Sequence, residues 1–271
     1  MNVYPKKAAF EKLKEKANLI PVYAKLKPKE DPLSIYSKVR GKNSFILHSS
    51  MEDRNLGRYS FIGFEPFLII KSKNRDVFIN GRHFAGNPIK ILKKKLSLFK
   101  SIRHKELPLF FGGAVGYFAY DIVRFFEKLH KKAVEDINAP DMYFLFINKS
   151  VIFDHLANEL FIVVLGNNYE KSLNEINRIK RNIEAKPKSL DKKIKCDPLK
   201  SNFKKSEYIK AIEKVKEYIK AGDTFQVNLS QRFEAEITCD PLAVYENLVK
   251  INPAPFSALL EFDDVKIISS S

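Results

Sequence analysis

The run NPAPFSALLEFDDVKIISSS, residues 252–271, decides how this chain is read. Two apolar stretches, 256–261 and 265–269, flank Asp263-Asp264, which predicts two antiparallel strands joined by a tight turn. The second stretch closes the sequence with no polar tail and no closing element.

Upstream the same signals recur. FILHS at 45–49, RYSFIG at 58–63 and FLIIK at 67–71 read as short strands separated by Gly and Pro. In VFINGRHF the pair Asn80-Gly81 predicts a hairpin, because both central residues of a type I′ turn take positive φ. NPIKILKKKLSLFK at 87–100 predicts a helix with apolar residues at 89, 92, 96 and 99 on one stripe. FFGGAVGYFAY at 110–120 reads as a strand whose glycines permit a close backbone approach. The alternating runs 143–153 and 159–165, either side of Leu156-Ala157-Asn158, predict another hairpin, and 170–184 a helix.

AKPKSLDKKIKCDPLKSNFKK at 185–205 has two prolines, a charge run and no periodicity, and reads as a linker. After it SEYIKAIEKVKEYIKAGD places Tyr208, Ile212, Val215 and Ile219 on one helix face, with Gly222 as the stop. TFQVNLSQRFEAEI at 224–237 alternates like one long strand. In DPLAVYENLVKI, Asp240 suits an N-cap and Pro241 the first helical position. The expected fold class is therefore α+β: a strand-rich, β-sandwich-like core of mainly antiparallel strands with several flanking helices. The expected division is 1–185, a linker at 186–205, and 206–271 as the start of a second, incomplete domain.

Composition excludes several classes. Hydrophobic residues are 45% and charged ones 30% of the chain, so it carries enough apolar material for a folded core. No apolar run approaches the roughly 20 residues of a membrane helix, and the charged N-terminus lacks the apolar region of a secretory signal, so a cytoplasmic location without membrane association is expected. Two cysteines, Cys196 and Cys239, form no CxxC or Cys/His cluster; both are expected to be reduced thiols, with no metal site. The 48 basic against 32 acidic residues leave a formal charge of +16. No zinc-finger, RRM-like or GXXG motif accompanies the lysines, so a field favouring an anionic substrate is expected rather than a nucleic-acid partner.

Candidate chemistry is thin. GGAVG at 112–116 is neither GxxxxGK[ST] nor GxGxxG and reads as structural. His48, His83, His104, His130 and His155 have no metal-ligand spacing, and His155 beside Asp154 reads as a surface histidine. No GxSxG elbow occurs.

Four segments in order change the reading: GRYSFIGFEP at 57–66, GGAVGYFAYD at 112–121, AGDTFQVNLSQRF at 221–233 and NPAPFSALLEF at 252–262. Together they resemble component I of the chorismate-utilising enzymes, aminodeoxychorismate synthase (para-aminobenzoate synthase) and anthranilate synthase. The resemblance implies an anthranilate-synthase-like fold and an enzyme acting on chorismate with Mg2+ and a glutamine amidotransferase partner, in para-aminobenzoate and folate or in tryptophan biosynthesis. In that family ISSS runs on into Ser-Pro-Glu, and the magnesium-holding glutamates lie beyond it, so the resemblance implies that these 271 residues are the N-terminal portion of a longer protein, stopping before the catalytic domain is finished. No catalytic residue and no metal ligand is therefore assigned here, and the chain alone is expected to be inactive.

The resemblance also implies a tryptophan-type pocket, for an inhibitor or a structural ligand. It would be built from Ile46, Leu47, His48 and Ser49, from Asn252, Pro253, Ala254, Pro255, Phe256 and Ser257, and from Arg58. His48 stands where the family's LLES element has glutamate. That departure, with QVNLSQRF and PAPFSA, is more similar to the aminodeoxychorismate branch; anthranilate synthase is the alternative, and a non-catalytic tryptophan-binding or partner-docking piece a third reading. Pro88-Ile89-Lys90 copies the start of the family's lysine motif, but Ile91 follows, and Lys90 reads as a surface lysine.

Overall fold

The computed structural model describes residues 2–49, 57–129, 135–186 and 193–271. In chain order it begins β1 (Val3–Tyr4), α1 (Lys7–Leu13), β2 (Ile20–Leu26), α2 (Pro32–Val39), β3 (Ser44–His48), β4 (Tyr59–Gly63) and β5 (Leu68–Lys73). Next come β6 (Asp76–Ile79), β7 (Arg82–Ala85), α3 (Pro88–Leu96), β8 (Gly113–Phe118) and a 3-10 turn at Tyr120–Phe125. β9 (Met142–Ile147), β10 (Lys149–Asp154), β11 (Glu159–Gly166) and α4 (Tyr169–Glu184) follow. The remainder is β12 (Lys195–Cys196), β13 (Lys200–Ser201), α5 (Lys205–Ala221), β14 (Phe233–Glu234), β15 (Ile237–Thr238), α6 (Pro241–Ile251), β16 (Ser257–Glu261) and β17 (Lys266–Ser270).

Two antiparallel sheets dominate: eight strands in the order β1-β2-β11-β10-β4-β3-β16-β17, and five in the order β7-β6-β5-β9-β8. Phe45, Leu260 and Phe262 of the larger sheet meet Val115, Tyr143, Leu145 and Ile147 of the smaller one. The Tyr143 and Phe262 rings stack at 4.2 Å. α2 and α4 cover the opposite face of the larger sheet. The far face of the smaller sheet packs Ile70, Val77 and Phe146 against Leu92 of α3. Buried on both sides, β11 reads ELFIVVLG without clean alternation, as a central strand should. This is the expected sandwich with flanking helices.

Local chemistry sets the turns. Asn80 and Gly81 stand at φ 46° and 80° between β6 and β7. The Asn87 side chain accepts from the Ile89 and Lys90 N–H groups and caps α3, and Lys90 is exposed. Gly116 lets β8 approach β9: a Cβ there would lie 1.9 Å from the Tyr143 carbonyl oxygen. Asp263-Asp264 turns β16 into β17, with Ser257 opposite Ser270 and Glu261 opposite Lys266.

Three expectations are corrected. The run 143–153 is not one strand: it breaks at Asn148 into β9, in the smaller sheet, and β10, in the larger. Asn148 bridges the break through its carbonyl, which accepts from Leu165 N–H at 2.7 Å, and its side-chain amide, which donates to Leu165 O at 3.2 Å. The run 224–237 forms only the two-residue strands β14 and β15, because the rest of it finds no ladder and alternation alone does not make a strand. Within the expected linker, residues 187–192 lie outside the described residues, but β12 pairs with β15 and β13 with β14.

The chain forms two compact units, Met1–Ser189 with Tyr245–Ser271, and Leu190–Val244. β16 and β17, placed by the sequence reading in a second domain, are hydrogen-bonded into the sheet of the first. The smaller unit is built on α5, which is stopped by Gly222 at φ 83° and buries none of its residues. Among the described residues no helix is long and apolar enough to cross a membrane.

Candidate functional site

Strand pairing creates a polar row at one end of the larger sheet. β3 pairs with β16 so that His48 faces Ser257, Leu47 faces Ala258 and Ile46 faces Leu259. β4 lies on the other side of β3, with Ile62 opposite Ile46. Since alternate residues share a face, Ser60, His48 and Ser257 line one side, and Ser270 extends the row through its pairing with Ser257. Ser60 and Ser257 are buried. Polar side chains in consecutive strands of an apolar sheet carry a desolvation cost unless partnered.

The hydroxyl of Ser60 accepts from Ser49 N–H at 3.2 Å and lies 2.8 Å from His155 Nε2. The ring of His48 meets that of Tyr245 edge-on, with centroids 6.2 Å apart. Burial depresses the His48 pKa to about 4, and His155 nearby adds to the effect, so the imidazole is neutral at physiological pH. Burial raises the phenol of Tyr245, which the Ser257 hydroxyl partly opposes. Burial likewise lowers His155. Three polar atoms here, His48 Nδ1, Ser49 Oγ and the Tyr245 hydroxyl, are buried without a hydrogen-bond partner.

Most of the expected pocket residues gather here, but not all point inward. Ile46 and His48 lie on the face of the polar row, while Leu47 packs into the core between the sheets. Ser49 is buried, and Gly57, at φ 83°, abuts it: a Cβ at Gly57 would sit 1.8 Å from Ser49 Oγ, with Pro255 O at 3.8 Å. Ala254 is buried and its carbonyl accepts from Ser257 Oγ at 3.2 Å. Asn252 exchanges hydrogen bonds with Ser270, while Pro253 and Phe256 are exposed, Phe256 by 67%.

Arg58 is committed elsewhere. It forks onto Asp154 with contacts of 2.6 to 3.1 Å and lies over the Tyr59 ring. Burial works against the Asp154 carboxylate, but Arg58 and the backbone N–H groups of Ala157 and Leu156 hold its pKa below the ordinary value. Sequence reasoning missed Ser60, Tyr245 and Gly57. The alternation in RYSFIG carried a signal for Ser60; Tyr245 has none without the register of β16. His155 is exposed, as expected of a surface histidine, yet it contacts the polar row.

Among the described residues no group of three or more His, Cys, Asp or Glu side chains could hold a metal ion. The Mg2+ implied by resemblance therefore finds no fitting donor set among them, and no chemical step here passes through it. Cys196 and Cys239 are free thiols.

Comparison with known proteins identifies the lineage of this antiparallel sandwich. A family model described as chorismate binding enzyme matches residues 24–271, and the chain belongs to that family. Anthranilate synthase component 1 of Acetivibrio thermocellus is 35% identical over 247 residues, covering 84% of this chain and 50% of that protein. Aminodeoxychorismate synthase component 1 of Bacillus subtilis is 30% identical over 234 residues, covering 83% and 50%. The crystal structure of anthranilate synthase component I from Streptococcus pneumoniae superposes with a TM-score of 0.68 at 27% identity, covering 89% of this chain and 55% of that one. The chain thus spans about half the length of the relatives it matches.

Proposed function

We propose that this chain supplies the scaffold and an aromatic amino-acid pocket of component I of a chorismate-aminating synthase. In that reaction ammonia from a glutamine amidotransferase partner displaces the ring hydroxyl of chorismate. The observation that carries the reading is the pairing of β3 with β16, which brings 46–49 and 254–257 together around a buried polar row. Apolar walls with a few placed polar groups suit an aromatic ligand. The formal charge of +16 favours approach of a dianionic substrate. On this reading the chemistry belongs to the half of the relatives that these residues do not span.

The preferred branch is aminodeoxychorismate synthase, because His48 stands where the resemblance places a glutamate. The second reading, anthranilate synthase, is favoured by the relative from Acetivibrio thermocellus. Incubated with chorismate, Mg2+ and ammonia, the 271-residue chain should yield no aminated product by chromatography; turnover would overturn the division of labour. Calorimetry with tryptophan should give a binding isotherm that weakens about tenfold or more in Ser49→Ala, since a buried hydrogen bond to a charged group is worth roughly 1.5–3 kcal/mol. No heat with either protein would sink the pocket.

A further inference from the structure

We propose that Cys196 and Cys239, the two cysteines of the chain, form a dithiol site that a small-molecule disulfide oxidises to an intramolecular bond, stapling the smaller unit. Far apart in sequence, they are brought together by the pairing of β12 with β15, which sets Cys196 opposite Ile237 and Lys195 opposite Thr238. Asp197 N–H donates to Glu236 O at 3.0 Å, so the pairing runs on past Cys196. Alternate residues of a strand share a face, so position 239, two beyond Ile237, returns to the face of Cys196 as its diagonal neighbour. The two thiols also sense each other. Burial raises the pKa of Cys239, and Asp240 and the Cys196 thiol add to the effect.

Diagonal Cα atoms across an antiparallel pair lie about 7–8 Å apart, and their Cβ atoms somewhat less. A disulfide spans up to about 7 Å between Cα atoms, so closing the bond needs a small backbone shift. Such a shift meets little resistance here. Both strands are two residues long and exposed, and Cys239 lies just past the end of β15. Cys196 is exposed and Cys239 half-buried, so a reagent reaches the first thiol directly. The Cys196 thiolate attacks one sulfur of the oxidant RSSR and releases RS−; the Cys239 thiolate then attacks the Cys196 sulfur and displaces the second RS−. Two protein thiols and one RSSR thus become one protein disulfide and two RSH. The loop so closed contains the whole of α5, none of whose residues is buried, so the bond ties together the ends of a segment with little apolar core.

The test equilibrates the full chain with glutathione buffers of graded redox ratio, folded and in concentrated urea. The readouts are free thiols and, by mass spectrometry, the peptide pair joined through Cys196 and Cys239. The folded chain should close the bond at a glutathione ratio at least about tenfold more reducing than the unfolded chain, because the strand pairing raises the effective concentration of one thiol at the other. The double variant Thr238→Cys/Cys239→Ser turns the second thiol to the opposite face and should lose that advantage. Cys239→Ser should stop at a glutathione adduct on Cys196. In the oxidised chain the amides of α5 should exchange at least about tenfold more slowly than in the reduced one. Equal closure in folded and unfolded chains, glutathione adducts alone, or bonds only between copies would overturn the proposal. So would a double variant that closes as readily as the wild type, or exchange in α5 that oxidation leaves unchanged.

Discussion

Gly57 holds its backbone at φ 83°, where a Cβ is strained, and the same Cβ would collide with Ser49 Oγ at 1.8 Å. Gly57→Ala should therefore displace Ser49 and abolish the tryptophan isotherm, with a modest stability loss of about 1 kcal/mol. Gly116→Ala, where the obstacle is the Tyr143 carbonyl rather than a side chain, should cost about 3 kcal/mol or more and be seen as a lower urea midpoint. His48 makes stability depend on pH. Its folded pKa of about 4 lies below the unfolded value near 6.5, so the unfolded state binds more protons between those limits and stability falls as pH drops through that window. The loss amounts to at most about 3 kcal/mol. His48→Gln should flatten the urea-midpoint profile between pH 6.5 and 4; an unchanged profile would show that another group titrates there.

Among the elements, the sequence was legible where signals are local. The hairpin at Asn80-Gly81, the cap at Asn87, the stop at Gly222 and the strand pair around Asp263-Asp264 all rest on chemistry within a few residues. α2 carried the same signal as α6 and was passed over: Asp31-Pro32 repeats the Asp-Pro start of Asp240-Pro241, and both aspartates accept from the N–H two residues on. Asp31→Ala should cost about 1 kcal/mol by thermal melting at pH 7. Burial opposes the charged Asp31 carboxylate, but its hydrogen bonds from Ser34 and Leu33 hold the folded pKa below the ordinary value, so that difference should vanish as pH falls through the folded value. Asn148 was not legible, because the apolar pattern on its two sides is equally good and only the sheet partners of β9 and β10 distinguish them. The polar row was half legible: His48 and Ser257 stand out in the sequence, whereas Ser60 and Ser270 join them only through strand register, which a one-residue slip reverses.

For the molecule as a whole, burial is uneven. The larger unit places its core among β2, β10 and β11, with Tyr23, Ile152, Phe161 and Val163 essentially closed to solvent. In the smaller unit Ile212, Tyr218 and Ile219 of α5 remain at least 40% exposed. Local opening is easiest where few apolar groups are buried. Hydrogen exchange should therefore find the amides of α5 at least about 100-fold less protected than those of β11; equal protection would refute this. The pairing of β3 with β16 has a temporal side as well. Its partners, His48 and Ser257, lie about 200 residues apart in sequence, and closing so long a loop is entropically unfavourable until both strands exist. On the ribosome, then, one flank of β3 stays open until β16 emerges, and the polar row is closed only once that strand has been made.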